Sequence, residues 1–80
     1  MDYEKTVRDI LRDLLEDPEC ADMDAETDLE PFGMDSLNSI NLVIALEDQF
    51  EIEIPEDLLG IQFVRNIDDI CRLVEQVREA

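Results

Sequence analysis

An all-α fold follows from three features of this 80-residue sequence: a four-helix bundle of three main helices and one short one, with a long loop between helices one and two. Three segments carry apolar residues at three- and four-residue steps, the period of a helix with one buried face. Only 2 Gly and 3 Pro punctuate the chain, so long stretches run without a break. The one segment that alternates polar and apolar residues, Glu51-Ile52-Glu53-Ile54-Pro55, has no second strand pattern to pair with.

The first helix is expected over Tyr3–Leu15, with Tyr3, Val7, Ile10, Leu11, Leu14 and Leu15 on one face. Asp2 is placed to cap its start, and Pro18 stops any continuation. Residues 16–35 form an acidic connection, long for so small a domain and therefore a place to look for function. Leu29 and Phe32 are its expected anchors to the core, because an apolar pair in an acidic loop is costly to expose.

The second helix spans Ser36–Phe50, with Leu37, Ile40, Val43, Ile44, Leu46 and Phe50 stepping around one face and Leu42 broadening it. Glu47, Asp48 and Glu51 crowd its carboxyl end, where negative charge opposes the helix dipole. Stability gives no reason for that placement; either a docking surface or plain surface acidity does. The Glu51–Pro55 segment reads as an extended connector that tucks in Ile52 and Ile54. Pro55 then opens a short helical turn, Glu56 to Leu59, closed by Gly60. The last helix begins at the cap Asn66, with Asp69 three residues on, and buries Ile67, Ile70, Cys71, Val74 and Val77. Arg78 near its end suits the dipole. Together these elements make residues 1–80 a single domain.

The composition narrows the function. A hydrophobic fraction of 45% supports a core despite 36% charged residues. With only four aromatic residues, that core is built of Leu, Ile and Val. Against 23 Asp and Glu stand 6 Lys and Arg, a formal net charge of −17. Such a surface repels phosphate backbones and anionic membranes. It attracts basic protein surfaces, although acidity also serves solubility alone. No run approaches the roughly 20 apolar residues of a membrane span. The amino terminus lacks the basic start and apolar run of a signal peptide. Cys20 and Cys71 form no C-x-x-C pair and read as thiols in a reducing, cytoplasmic setting, Cys71 as a small core residue, with a disulfide between them as the alternative.

Catalysis by the chain itself is disfavoured. There is no His, which removes the commonest general base and most zinc and haem sites. A hydrolase built on Ser36 would also need an oxyanion site, and no Gly-x-Ser-x-Gly elbow is present. The alternating acids of Asp22–Asp28 invite a calcium-loop reading that fails twice. Thr27 stands where the EF-hand turn needs Gly, and Gly33 where the bidentate Glu should be.

Of the two serines, Ser36 and Ser39, the first lies where the long loop becomes the second helix, in Gly33-Met34-Asp35-Ser36-Leu37. Taken alone, Asp-Ser before an apolar stripe is an ordinary helix cap. A phosphate ester on Ser36 would, however, sit at a helix amino terminus, where free N–H groups and the dipole favour an anion. Gly33 lets the chain turn sharply into the helix. An external enzyme that activates the hydroxyl suits a chain without His.

Phe32-Gly33-Met34-Asp35-Ser36-Leu37, then Leu42 to Phe50 and Glu51-Ile52-Glu53-Ile54-Pro55, resembles the acyl carrier protein family. The likeness extends to helix one, to Asp28-Leu29 and to Asn66-Ile67-Asp68-Asp69-Ile70, nearly the whole chain. The resemblance implies a four-helix, non-catalytic and monomeric carrier in which Ser36 receives 4′-phosphopantetheine from coenzyme A. A phosphopantetheinyl transferase, bringing its own magnesium, would attach it. Cargo would ride as a thioester to acyl-loading and acyl-processing enzymes in fatty acid, polyketide or related biosynthesis. Those enzymes would dock basic patches against Asp35, Glu47 and Asp48, with Leu37 and Met34 as apolar contacts. Carriers of bacterial fatty acid synthesis usually have an acid directly after Asp-Ser-Leu and another early in that helix; here Asn38 and Asn41 stand instead. That departure points to a specialised carrier with its own partners. The alternative is an unmodified acidic scaffold with a carrier-like fold, which predicts no dependence on Ser36.

Overall fold

A computed structural model describes residues 3–79. Its three α-helices are α1 (Tyr3–Leu15), α2 (Ser36–Phe50) and α3 (Ile67–Arg78), and no strand occurs among the described residues. The proposed cap Asp2 lies outside them. Helix α1 packs against both α2 and α3, so it is the central stave of the bundle. Val7 and Leu11 of α1, Leu42, Leu46 and Phe50 of α2, and Ile67, Ile70, Leu73 and Val74 of α3 close a single apolar core. Leu73 belongs to the α3 stripe, while Cys71 is only half-buried beside it; the fully buried thiol is Cys20.

The short fourth helix takes the form of two successive 3-10 turns, Glu56–Leu58 and Ile61–Phe63. Pro55 precedes the first with extended backbone, as a residue with fixed φ and no N–H can at a helix start. Ahead of it, residues 52–55 are extended, with Ile54 buried and Ile52 half-buried against the core.

The acidic connection contains two further 3-10 turns, Pro18–Ala21 and Glu30–Phe32. Its aspartates are used locally. Asp17, Asp24 and Asp28 each accept the backbone N–H two residues on, at 2.9–3.0 Å, which turns a highly charged segment into a chain of tight bends. Leu29 anchors the loop as expected, but Phe32 is only half-buried, and Cys20 and Met34 join Leu29 in the core. Backbone bonds tie the loop to the segment entering α3: Leu29 N–H donates to Arg65 O at 2.8 Å, and Asp68 N–H to Ala25 O at 3.0 Å.

Arg8 adds a side-chain cross-link. From α1 its guanidinium donates to Met23 O at 2.6 Å and to Cys20 O at 3.3 Å, and pairs with Glu4 at 3.4 Å. The far end of the bundle is closed by Tyr3, edge-on to Phe50 with ring centroids 5.6 Å apart, and by Arg78, which covers Tyr3 and donates to the Phe50 carbonyl.

Candidate functional site

The loop-to-helix junction is built by four residues with separate jobs. Gly33 ends the Glu30–Phe32 turn with φ +110°, a left-handed conformation that a side chain would strain. Met34 follows, its N–H donating to Leu29 O at 3.1 Å and its side chain driven into the core. Asp35 takes the cap position: its backbone is extended and its carboxylate accepts the Asn38 N–H at 2.8 Å. Ser36 is therefore the first helical residue.

This settles what Asp-Ser alone leaves open. The carboxylate of Asp35 does the capping, so the Ser36 hydroxyl is not needed for it, and the residue is exposed. No hydrogen bond to that hydroxyl occurs among the described residues. Ser39, by contrast, is buried, and its Oγ donates to Ser36 O at 2.8 Å. One serine is available to an external reagent; the other is committed inside the first turn of α2.

The remaining expected site residues divide. Met34 is 2% exposed, so the apolar contact assigned to it is corrected: the tight Leu29–Met34 turn folds its side chain inward. Leu37 is 67% exposed and remains available. Ile40 and Ile44, read from sequence as core, are 57% and 59% exposed. With Leu37 they form a second apolar stripe of α2, opposite in role to the buried Leu42, Val43, Leu46 and Phe50. Ile40, Ile44 and the exposed Leu59 rim a pocket of about 160 Å³ between α2 and the chain at Gly60.

The acids divide as well. Asp35 and Asp48 are exposed, whereas Glu47 is half-buried and accepts the Ile54 N–H at 2.9 Å. The first turn of α2 contains no acid. Asn38 uses its side chain there, Nδ2 donating to Gly33 O at 2.7 Å. Sequence reasoning missed this bond and the Arg8 clamp; the nearest signal for either was a long-chain donor or amide beside an otherwise unexplained loop.

An anionic ester on Ser36 fits this junction. The hydroxyl is exposed, it has no competing role, and the first N–H groups of a 15-residue helix lack intrahelical acceptors.

Known proteins resemble the chain over most of its length. The family described as "Phosphopantetheine attachment site" matches residues 5–74. The chain is 45% identical over 72 residues to an acyl carrier protein of Campylobacter curvus, covering 89% of this chain and 90% of that protein. It is 42% identical over 65 residues to an acyl carrier protein of Campylobacter concisus, covering 75% and 83%. It is also 33% identical over 79 residues to an aminoacyl carrier protein of Agrobacterium fabrum, covering 94% and 95%.

Proposed function

Because this chain belongs to the acyl carrier protein family, whose members bear phosphopantetheine, we propose that Ser36 is its attachment residue and that α2 is the face its partner enzymes read. The observation that carries the assignment is the contrast between the two serines: Ser36 exposed and relieved of capping by Asp35, Ser39 buried and bonded to Ser36 O.

In the loading reaction, the Ser36 hydroxyl attacks the pyrophosphate of coenzyme A. A phosphodiester forms at Oγ, the pyrophosphate P–O–P link breaks, and the adenosine bisphosphate half departs. The hydroxyl's proton passes to a base on a phosphopantetheinyl transferase, as the chain has no His to receive it. The attached group supplies a terminal thiol, which carries cargo as a thioester. The chain's own residues hold the attachment point at a helix amino terminus and present α2 beside it.

Leu37, Ile40 and Ile44 give that face an apolar contact area, and Asp35 and Asp48 flank it with charge suited to a basic patch. Asn38 and Asn41 leave its first half neutral, which favours a carrier serving a dedicated set of acyl- or aminoacyl-processing enzymes over the common fatty acid synthase. The test is to incubate the protein with coenzyme A and a broad-specificity transferase and to weigh it. The expected result is one phosphopantetheine added, lost in Ser36→Ala and kept in Ser39→Ala. A folded protein that gains no mass refutes the assignment and favours an unmodified acidic scaffold.

A further inference from the structure

The attachment turn is held by a bond that its family likeness does not explain. Asn38 meets the junction twice. Its backbone N–H is held by the Asp35 carboxylate at 2.8 Å, and its side-chain Nδ2 donates to the Gly33 carbonyl at 2.7 Å. The two bonds reach back three and five residues, so residues 33–35 are fastened onto the first turn of α2, and Ser36 lies within the loop that each bond closes. The Gly33 carbonyl accepts this bond while Gly33 holds φ +110°. Gly33 also stays in place through its own N–H, which donates to Glu30 O at 3.1 Å.

We propose that Asn38 is a positioning residue for modification of Ser36, acting through its amide donor to fix the Gly33–Ser36 turn in the conformation a transferase accepts. This rests on Ser36 being the attachment residue. The bond requires a donor at this position. An aspartate has the same shape but, ionised, only acceptor atoms, and it would set a carboxylate oxygen against the Gly33 carbonyl. The neutral residue at 38 is then a demand of the turn in this chain and not only a missing charge on a docking face.

A looser turn lowers the fraction of free carrier in the competent conformation, and apparent affinity falls by that fraction. Once the transferase holds the turn, the chemical step is the same. The effect belongs in KM, with kcat preserved. Loss of one partly exposed hydrogen bond of this kind corresponds to about a fivefold change.

The experiment measures the kinetics of phosphopantetheine transfer to the full chain for the wild type, Asn38→Ala and Asn38→Asp, with thermal melting and amide hydrogen exchange on each. The expected result is a carrier KM raised about fivefold in Asn38→Ala and at least as much in Asn38→Asp, at unchanged kcat. Faster exchange should be confined to residues 33–38, with melting of the bundle little changed. A wild-type KM in Asn38→Ala overturns the proposal. So does a lower KM in Asn38→Asp, which would mean that charge at this position matters and the bond does not. Failure of the wild type to load at all would instead strike the assignment of Ser36, and the two failures are therefore distinct.

Discussion

The Glu47 carboxylate accepts a hydrogen bond from the Ile54 backbone N–H across 2.9 Å, joining the last turns of α2 to the extended connector that follows it. An acid at the carboxyl end of a helix opposes the dipole, and this one is half-buried as well. Its bond to a connector amide gives it a structural purpose. That purpose separates it from its neighbour Asp48, which is exposed and has no such role in the fold.

Glu47→Ala should therefore cost about 1–2 kcal/mol, because the Ile54 N–H loses its acceptor while Ile54 stays buried. Glu47→Gln keeps an acceptor oxygen and should lose well under half of that. Urea denaturation of both variants measures the difference. If docking were the main role of Glu47, the Gln variant would instead keep full stability and lose partner activity, and Ala would behave the same way.

The Arg8 clamp carries a second prediction. Its guanidinium bonds two loop carbonyls from a side chain that is largely covered, so Arg8→Met preserves the stem and deletes the donors. A charged hydrogen bond of this kind contributes roughly 1.5–3 kcal/mol, and about 2 kcal/mol should be lost here. Limited proteolysis should move to residues 20–24, since the released carbonyls are theirs. Unchanged cleavage would mean that the loop is held by Cys20 and Leu29 alone.

How much of this was legible beforehand depended on what periodicity can report. In α1 and α3 it found the buried faces apart from Leu73, because each helix has only one apolar stripe. Helix α2 has two. Leu37, Ile40 and Ile44 are as well spaced as Leu42, Val43, Leu46 and Phe50, and spacing says which residues share a face, not which face meets the core. Asp-Ser left open whether Asp35 or Ser36 caps α2, while Asn66 was readable as a cap from local chemistry. Met34, Arg8 and Glu47 were not, because their roles depend on chain 5 to 15 residues away folding back onto them.

The two stripes of α2 predict opposite responses to similar substitutions. Leu42→Ala removes a fully buried side chain and should cost about 2–5 kcal/mol. Leu37→Ala removes a side chain that is mostly in water, and its stability should stay within about 0.5 kcal/mol of wild type. The KM for the transferase should nevertheless rise for Leu37→Ala, because an apolar contact next to Ser36 is lost. Stability and loading kinetics measured side by side check this. A stable Leu37→Ala protein that loads with wild-type kinetics would remove Leu37 from the docking face.

Glu51 caps the carboxyl end of α2 in a left-handed conformation with φ 54° and ψ 51°. Such a backbone costs a side-chain-bearing residue about 1–2 kcal/mol relative to the right-handed region. The glutamate also sets negative charge against the helix carboxyl end. Glu51→Gly removes both penalties and adds about 0.5–1 kcal/mol of chain entropy to the unfolded state. The net expectation is a gain of roughly 0.5–1 kcal/mol, seen as a higher urea midpoint at unchanged slope.

Cys20 supplies a prediction about pH. Burial pushes its thiol above the ordinary 9.0, and the nearby carboxylates of Asp17 and Glu19 push it further in the same direction. The folded state therefore favours the neutral thiol. Its contribution is complete below the unfolded value of 9.0 and is lost as pH rises through the higher folded value. Wild type should lose stability above pH 9 more steeply than Cys20→Ser, whose hydroxyl does not ionise there, although the variant starts from a lower baseline. Denaturation midpoints between pH 7 and 10.5 compare the two. At pH 8, native Cys20 should resist a thiol reagent that labels it at once in urea, because a covered thiol exposes little thiolate. Rapid labelling of Cys20 in the native protein would show that the Pro18–Ala21 turn opens, and that the Arg8 bond to the Cys20 carbonyl does not hold it closed.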